Sequence, residues 1–319
     1  MANLGQRDRI FITGGSGYIG SKIVEFAISE GYEVYSLSRS EKSDSKLRSM
    51  GAVPVRGSLH SLDVLRRESA QAQVVLHLAD AWDRNFDSDY SEVVRIDAAA
   101  VDAMGEPLQG TGKPLIVTSG SLVVEPDPAG GETTESAPLS KKPLNKRIRC
   151  EQHALQLCEK GIKVCAIRLA PYVYGHGRSG INLIMLISAN NGEVIYVNDG
   201  RVRTSAVHVD DAARLYLLAA KKAKAGDIFN GTSSTDIMSY QIAEAIGSCL
   251  KIPARSLTFE EAASKLGNFF ATFISSENRA SNAKAVKELG WQLRELGMLE
   301  DIRTGSYVAV AEGLQKSRA

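Results

Sequence analysis

The sequence predicts an α/β fold: a doubly wound parallel sheet with helices on both faces, followed by a smaller C-terminal lobe. Three observations carry this. An apolar strand at residues 10–13 runs straight into Gly14-Gly15-Ser16-Gly17-Tyr18-Ile19-Gly20 and a helix. Short apolar runs and amphipathic segments then alternate through the first half, the pattern of a parallel sheet covered on both sides. After residue 174 that alternation loosens.

The first strand delivers Gly14, Gly17 and Gly20 to the start of a helix. Their missing side chains let a dinucleotide pyrophosphate approach the backbone, and the free N–H groups and positive end of the helix favour the anion. Along that helix Ile19, Ile23 and Ala27 recur every fourth residue with Val24 and Ile28 beside them, a stripe that docks on a sheet. Gly31 is placed to end it. Residues 34–37 read as a second strand and 52–55 as a short third. Residues 74–78 and 115–118 read as two buried strands, and 164–169 as a sixth after a helix ending near Lys160-Gly161. Residues 125–146 are polar and rich in Pro and Gly, which predicts a long surface loop, either a lid at the sheet's carboxyl edge or a disordered connection. Further helices are expected at 181–189, 210–222, 239–250 and 282–289, the last running into Leu-Gly-Trp. Residues 1–174 and 206–234 are assigned to a dinucleotide-binding domain, and 175–205 and 235–319 to a substrate lobe.

Composition narrows the function classes. The chain of 319 residues is 44% hydrophobic and 24% charged, ordinary for a globular enzyme. A net charge of +1 exerts no pull on nucleic acid or anionic membrane. No apolar run approaches the roughly twenty residues of a membrane span. Cys150, Cys158, Cys165 and Cys249 lack metal-ligand spacing, so no metal is expected and reduced thiols are. The expectation is a cytoplasmic enzyme acting on a small molecule, with a homodimer left open.

Together these residues resemble the extended short-chain dehydrogenase/reductase family, of the epimerase/dehydratase type. The likeness rests on Thr13 to Gly20, on Val75-Leu76-His77-Leu78-Ala79 and on Val117-Thr118-Ser119-Gly120-Ser121. Val173-Tyr174-Gly175, the stretch from Ala206 to Ala213, and Lys287-Glu288-Leu289-Gly290-Trp291 complete it. It implies a Rossmann-type fold and a nicotinamide cofactor. The cofactor-binding positions it implies are Gly14, Ser16, Gly17, Tyr18, Ile19, Arg39, Ser40, Leu78, Ala79, Ser119, Arg147, Pro171, Tyr172 and Val173. A reader of NAD usually places a carboxylate after the second strand for the ribose 2′-hydroxyl. Here Leu37-Ser38-Arg39-Ser40 offers a guanidinium and hydroxyls, which suit a 2′-phosphate, so Arg39 points to NADP(H).

The departure from the family pattern is as informative. Its members usually carry a Tyr as acid/base and a Lys four residues later, but this chain has no tyrosine between Tyr90 and Tyr172. Anchored on Glu151, the tyrosine position falls on Pro143 and the lysine position on Arg147. Ser121 takes the place of the family's catalytic serine. The resemblance is therefore to an atypical branch, such as one in secondary metabolism. Candidate replacement acids are Tyr172, in the segment that passes the nicotinamide in this family, and His176 in the Gly-His-Gly-Arg turn. Asp80 and Asp83 after the fourth strand complete the set, with Trp82 as a wall for an apolar substrate. His208 is expected to fix lobe packing and His77 to be a core residue. Three functions stay open: an NADP(H)-dependent reductase of a C=O, C=N or activated C=C group, a non-redox isomerase, lyase or cyclase retaining NADP, and a non-catalytic NADP(H) sensor.

Overall fold

A computed structural model describes residues 7–82 and 90–317. Asp83 lies outside the described residues. In chain order the first half comprises β1 (Arg9–Thr13), α1 (Tyr18–Ser29), β2 (Glu33–Ser38), α2 (Glu41–Ser49), β3 (Val53–Arg56), α3 (Leu62–Gln71), β4 (Val74–His77), α4 (Ser91–Gly105), β5 (Pro114–Gly120), α5 (Arg147–Gln156) and β6 (Lys163–Leu169). The second half comprises β7 (Tyr172–Tyr174), α6 (Ser179–Asn191), β8 (Val194–Val197), β9 (Arg203–His208), α7 (Val209–Lys222), β10 (Ile228–Gly231), β11 (Ser234–Met238), α8 (Ser239–Leu250), β12 (Ala254–Leu257), α9 (Phe259–Leu266), α10 (Asn268–Ile274), α11 (Met298–Thr304) and α12 (Val308–Lys316).

Seven parallel strands form one sheet in the order β10-β6-β5-β4-β1-β2-β3. The order reverses between β1 and β4, whose Thr13 and His77 are register partners. Sheets of this kind bind ligands at such a switch point, outside the carboxyl ends of the strands. Six of the strands follow the apolar runs of the sequence. The seventh, β10, was not anticipated, because four residues ending in Asn-Gly carry little periodic signal. One apolar cluster packs α1 and α7 on one face of the sheet, and another packs α3, α4 and α5 on the other. Two smaller sheets, β11-β9-β7 and β12-β8, support α6, α8, α11 and α12 around a third cluster. The expected helix at 282–289 is a single wide turn, Ala285–Leu289. It seats the buried Trp291, whose indole N–H donates to the Asp211 carbonyl at 2.9 Å.

The long loop at 125–146 is anchored rather than loose. Thr133 N–H donates to the Arg279 carbonyl at 2.9 Å, and Ser281 N–H returns a bond to Thr133 at 2.8 Å. Arg168 Nη1 donates to the Glu135 carbonyl at 2.9 Å, and the Glu135 carboxylate accepts from Asn230 N–H at 2.9 Å. These bonds tie the loop to the sheet and to the segment before Trp291. The disordered alternative is thereby removed.

Candidate active site

The turn after β1 divides its labour among its glycines. Gly14 sits at φ +78°, and a Cβ there would come within 2.9 Å of Ala79 N. A Cβ on Gly20 would lie 2.2 Å from the Gly14 carbonyl oxygen, so Gly20 lets α1 press against the turn. Gly17 differs. Its φ is −70°, and an added Cβ would meet only the Gly14 oxygen, at 3.0 Å. The backbone does not require glycine there; the space in front of the helix does. Gly17 caps α1 without a side-chain bond, leaving the first N–H groups of the helix directed outward. Lys46 Nζ donates to the Ser16 carbonyl at 2.7 Å and holds the turn from the side of α2.

A cleft of about 470 Å³ opens in front of this turn. Gly14, Ser16, Gly17, Arg39, Leu78 and Ala79, all expected from the sequence to touch the cofactor, line this cleft together with Ser43, Asp80 and Trp82. Tyr18 and Ile19 stand behind it. The Tyr18 hydroxyl donates to the Gly175 carbonyl at 2.9 Å, and Ile19 packs on the sheet core. Ser40 caps α2, accepting from Ser43 N–H at 3.3 Å. Ser119 is buried at the end of β5 with no partner for its hydroxyl among the described residues. An orphaned hydroxyl, a turn closed to β-carbons and an uncapped helix start fit a dinucleotide.

Beneath the cleft runs a buried polar chain. Thr13 Oγ1 accepts from Leu78 and Ala79 N–H, both at 3.2 Å, and lies 2.7 Å from His77 Nδ1. His77 Nε2 in turn faces Asp97 Oδ1 at 3.0 Å. His77 is thus the core residue expected. Burial pushes Asp97 up, but the bond and charge of His77, with the nearby charge of Arg147, outweigh it and hold its carboxyl below the usual range.

Arg147, at the first position of α5, does not point to an open site. It donates through Nη1 to Asp80 Oδ2 and, at 3.1 Å, to the hydroxyl of Tyr90. Tyr90 in turn donates to Asp80 Oδ2 at 3.1 Å, while Asp80 Oδ1 accepts from Trp82 N–H at 2.8 Å. Burial alone would lower the Arg147 pKa, but Asp80 and its neighbours raise it overall, so the guanidinium stays charged. Sequence reasoning missed Tyr90. A signal existed: the helix after β4 must begin at the carboxyl edge, beside the start of α5.

The four catalytic candidates do not form one hydrogen-bonded set. Ser121 is buried and donates to Asn278 Oδ1 at 2.8 Å, so its hydroxyl is committed to a residue of the C-terminal part. His176 Nε2 lies 3.0 Å from both oxygens of Asp210, at the start of α7. Tyr172 is buried with its ring 5.1 Å from that of Phe273, and its hydroxyl has no hydrogen-bond partner among the described residues. Burial raises its pKa, as burial and Asp80 raise that of Tyr90 against the pull of Arg147. Pro171 and Val173 flank Tyr172, and Val173 turns toward the sheet core. His208 Nδ1 accepts the Asp210 N–H at 3.2 Å and caps α7, the packing role expected of it. His176, His208 and Asp210 bring donor atoms within 4.8 Å of one another, but that cap occupies one of the His208 nitrogens.

Among the described residues no helix is long and apolar enough to cross a membrane. Comparison with known proteins places the chain. An uncharacterized protein of Schizosaccharomyces pombe is 34% identical over 300 residues, covering 94% of this chain and 99% of its own. A 4-hydroxy-2-methyl-3-oxo-4-farnesyl-3,4-dihydroquinoline-1-oxide ketoreductase of Stigmatella aurantiaca is 26% identical over 231 residues, covering 69% of this chain and 67% of its own. The structure of a UDP-glucose 4-epimerase from Thermotoga maritima superposes with a TM-score of 0.71 at 20% identity, covering 98% of this chain and 100% of that one. Residues 10–230 match a described family across the glycine turn, the switch point and all seven strands but the first residue of β1 and the last of β10. The chain belongs to the NAD dependent epimerase/dehydratase family.

Proposed function

We propose that this protein is an NADP(H)-dependent reductase acting on a small, moderately apolar metabolite with a C=O, C=N or activated C=C group. The observation that carries the reading is Arg39. It stands just past β2, exposed at the cleft, with no partner among the described residues. The carboxylates that follow, Glu41 and Asp44, are each paired with Arg48 and Arg56. A 2′-phosphate supplies the anion this corner lacks. Two relatives bear the names of a ketoreductase and a decarboxylating sterol dehydrogenase, which supports redox chemistry.

In this reading Gly14, Ser16 and Gly17 hold the pyrophosphate, Arg39 the 2′-phosphate, and Leu78, Ala79, Ser119 and Tyr172 the nicotinamide end. The bound dinucleotide supplies a hydride. The chain's own residues orient the acceptor and exclude water, and Arg147 keeps Asp80 and Tyr90 fixed beside it. Arg39→Ala is expected to weaken NADPH binding about 10- to 100-fold, the scale of one charge-assisted contact, and to leave NADH unchanged. Calorimetric titrations with both nucleotides check this, and equal losses overturn the assignment.

Tyr172→Phe sorts the substrate classes. For a carbonyl protonated by this phenol the single-turnover rate should fall about a hundredfold, the scale of a positioned general acid. For an acceptor that needs no proton the rate should stay within about threefold. Neither Tyr172 nor Tyr90 has a lowered pKa, and this also favours a second reading, a non-redox isomerase, lyase or cyclase that keeps the nucleotide as a pocket wall. Product formed by nucleotide-free protein would support that reading; NADPH consumed one for one with product excludes it.

A further inference from the structure

We propose that the side-chain amide of Asn278 is the donor that receives the substrate's carbonyl oxygen, in the space in front of Gly120. The inference rests on the reductase reading, narrows its substrate to a C=O compound, and adds a catalytic residue that no motif marks.

The place follows from the ends of three neighbouring strands. His77 of β4 is level with Val117 of β5, so the cleft-lining Leu78 and Ala79 stand beside Thr118 and Ser119. On the other side Gly120 is level with Leu169 of β6, three residues before Tyr172. Gly120 therefore lies between the cleft and Tyr172. Its backbone, at φ −134° and ψ 145°, is open to any residue, and a Cβ there would meet nothing nearer than the Leu169 carbonyl oxygen at 4.0 Å. The chain does not need glycine here, and the room it leaves admits a ligand atom.

The C-terminal part folds over this point. Phe269 and Phe273 of α10 meet the rings of Trp82 at 6.3 Å and Tyr172 at 5.1 Å, and the chain then reaches Asn278. Asn278 N–H donates to the Arg203 carbonyl at 2.9 Å, and its own carbonyl accepts from the Ser205 hydroxyl at 3.0 Å, so β9 fixes its backbone. Ser121 fixes its side chain. The Ser121 hydroxyl donates to Asn278 Oδ1 at 2.8 Å and makes no other bond among the described residues. Turning the amide over would strand that hydrogen in a buried residue. Asn278 Nδ2 is left with both its hydrogens unpaired among the described residues, in a side chain that is 3% exposed. The buried hydroxyls of Ser119 and Tyr172 are unpaired as well. Buried polar groups are rarely left so. Their gathering at the ends of β5 and β6 calls for an acceptor that a ligand brings.

The chemistry uses a donor that does not titrate. The carbonyl carbon gains a C–H bond with the hydride of NADPH, which leaves as NADP+, and the C=O π pair moves onto oxygen. Solvent, directly or through the Tyr172 hydroxyl, supplies the proton that completes the alcohol. Asn278 N–H stabilises the charge on oxygen before that proton arrives, from a position set in advance by Ser121 and β9. Such a donor suits a site lacking the Tyr–Lys pair.

The test uses isotope-labelled full-length protein, without nucleotide and loaded with NADP+, titrated by NMR with two probes. Acetophenone carries the carbonyl, and α-methylstyrene is its isostere with a methylene in place of the oxygen. Asn278→Asp lacks the amide hydrogens and so identifies their signals. Acetophenone is expected to move those signals downfield and α-methylstyrene to leave them in place. Asn278→Asp should raise the dissociation constant of acetophenone about tenfold and keep that of α-methylstyrene within about twofold, the scale of one hydrogen bond. Ser121→Ala should reproduce this difference, and Ser121→Thr, which keeps the hydroxyl, should restore binding. Gly120→Val should weaken both probes and keeps the test open should loss of Asn278 unfold the protein. Unmoved Asn278 signals, equal losses for the two probes, or binding of neither overturns the proposal. Adding NADPH separates the two readings. Consumption with acetophenone slowed about a hundredfold by Asn278→Asp, the scale of one lost oxyanion donor, supports both. Consumption at an undiminished rate in that variant overturns the donor and leaves a reductase. Binding of acetophenone that depends on Asn278, without NADPH consumption, upholds the donor and overturns the reductase reading.

Discussion

Replacing Gly17 by valine is expected to leave the fold standing and to raise the dissociation constant of the nicotinamide dinucleotide by about two orders of magnitude. The backbone at Gly17 has φ −70°, a conformation open to any L-residue, and its Cβ would meet only one neighbouring atom, 3.0 Å away. In the proposed reading the branched side chain projects where the phosphates approach the N–H groups of α1. Losing one or two charge-assisted hydrogen bonds at about 1.5–3 kcal/mol each accounts for the effect. Gly20→Ala is the complementary control. Its methyl would lie 2.2 Å from the Gly14 carbonyl oxygen and 2.8 Å from Gly15 Cα, so the turn itself must move, and about 1–3 kcal/mol of stability should be lost. Thermal unfolding and nucleotide titration on both variants separate a ligand effect from a folding effect. A Gly17→Val protein that binds nucleotide at wild-type strength removes the cradle assignment.

Arg168→Met is expected to produce the largest loss of stability, about 3–5 kcal/mol, because it leaves a buried carboxylate without its counterion. Arg168 and Glu151 are each 3% exposed, with Nη2 to Oε1 at 2.6 Å and Nε to Oε2 at 3.0 Å. The pair joins β6 to α5, and Arg168 also reaches the Glu135 carbonyl in the anchored loop. Arg147 lies one helical turn before Glu151, so the pair also sets where the Arg147 guanidinium stands. The double variant Arg168→Met with Glu151→Leu should recover much of the loss, since an apolar pair of similar volume removes the stranded charge. Urea unfolding of the single and double variants measures both. A single-variant loss below about 1 kcal/mol would show that the pair is not the anchor of α5.

The reading of the sequence and the structure part company in a consistent way. Glu151 served as an alignment anchor, and it proves to be half of the buried pair that positions its helix. Ser121 matched a catalytic position by motif, yet its hydroxyl is bonded to a residue 157 positions away. Tyr172 is the phenol that the family motif leads one to expect near the nicotinamide, while Tyr90 is the phenol that folding brings to Arg147, 57 positions apart.

By itself the sequence determined the doubly wound sheet, the glycine turn and the charge at Arg39. It also determined the loss of the Tyr–Lys pair. Each is written in neighbouring residues: a strand or helix period, the φ freedom of a glycine, a side chain fixed at a strand end. Only the tertiary structure decided that Asp80, Tyr90 and Arg147 form one bonded group, that Trp82 meets Phe269, and that Ser121 is occupied. Those pairings depend on which strand ends lie side by side and how the last hundred residues fold back over them. Long-range packing sets both, and no local period encodes it.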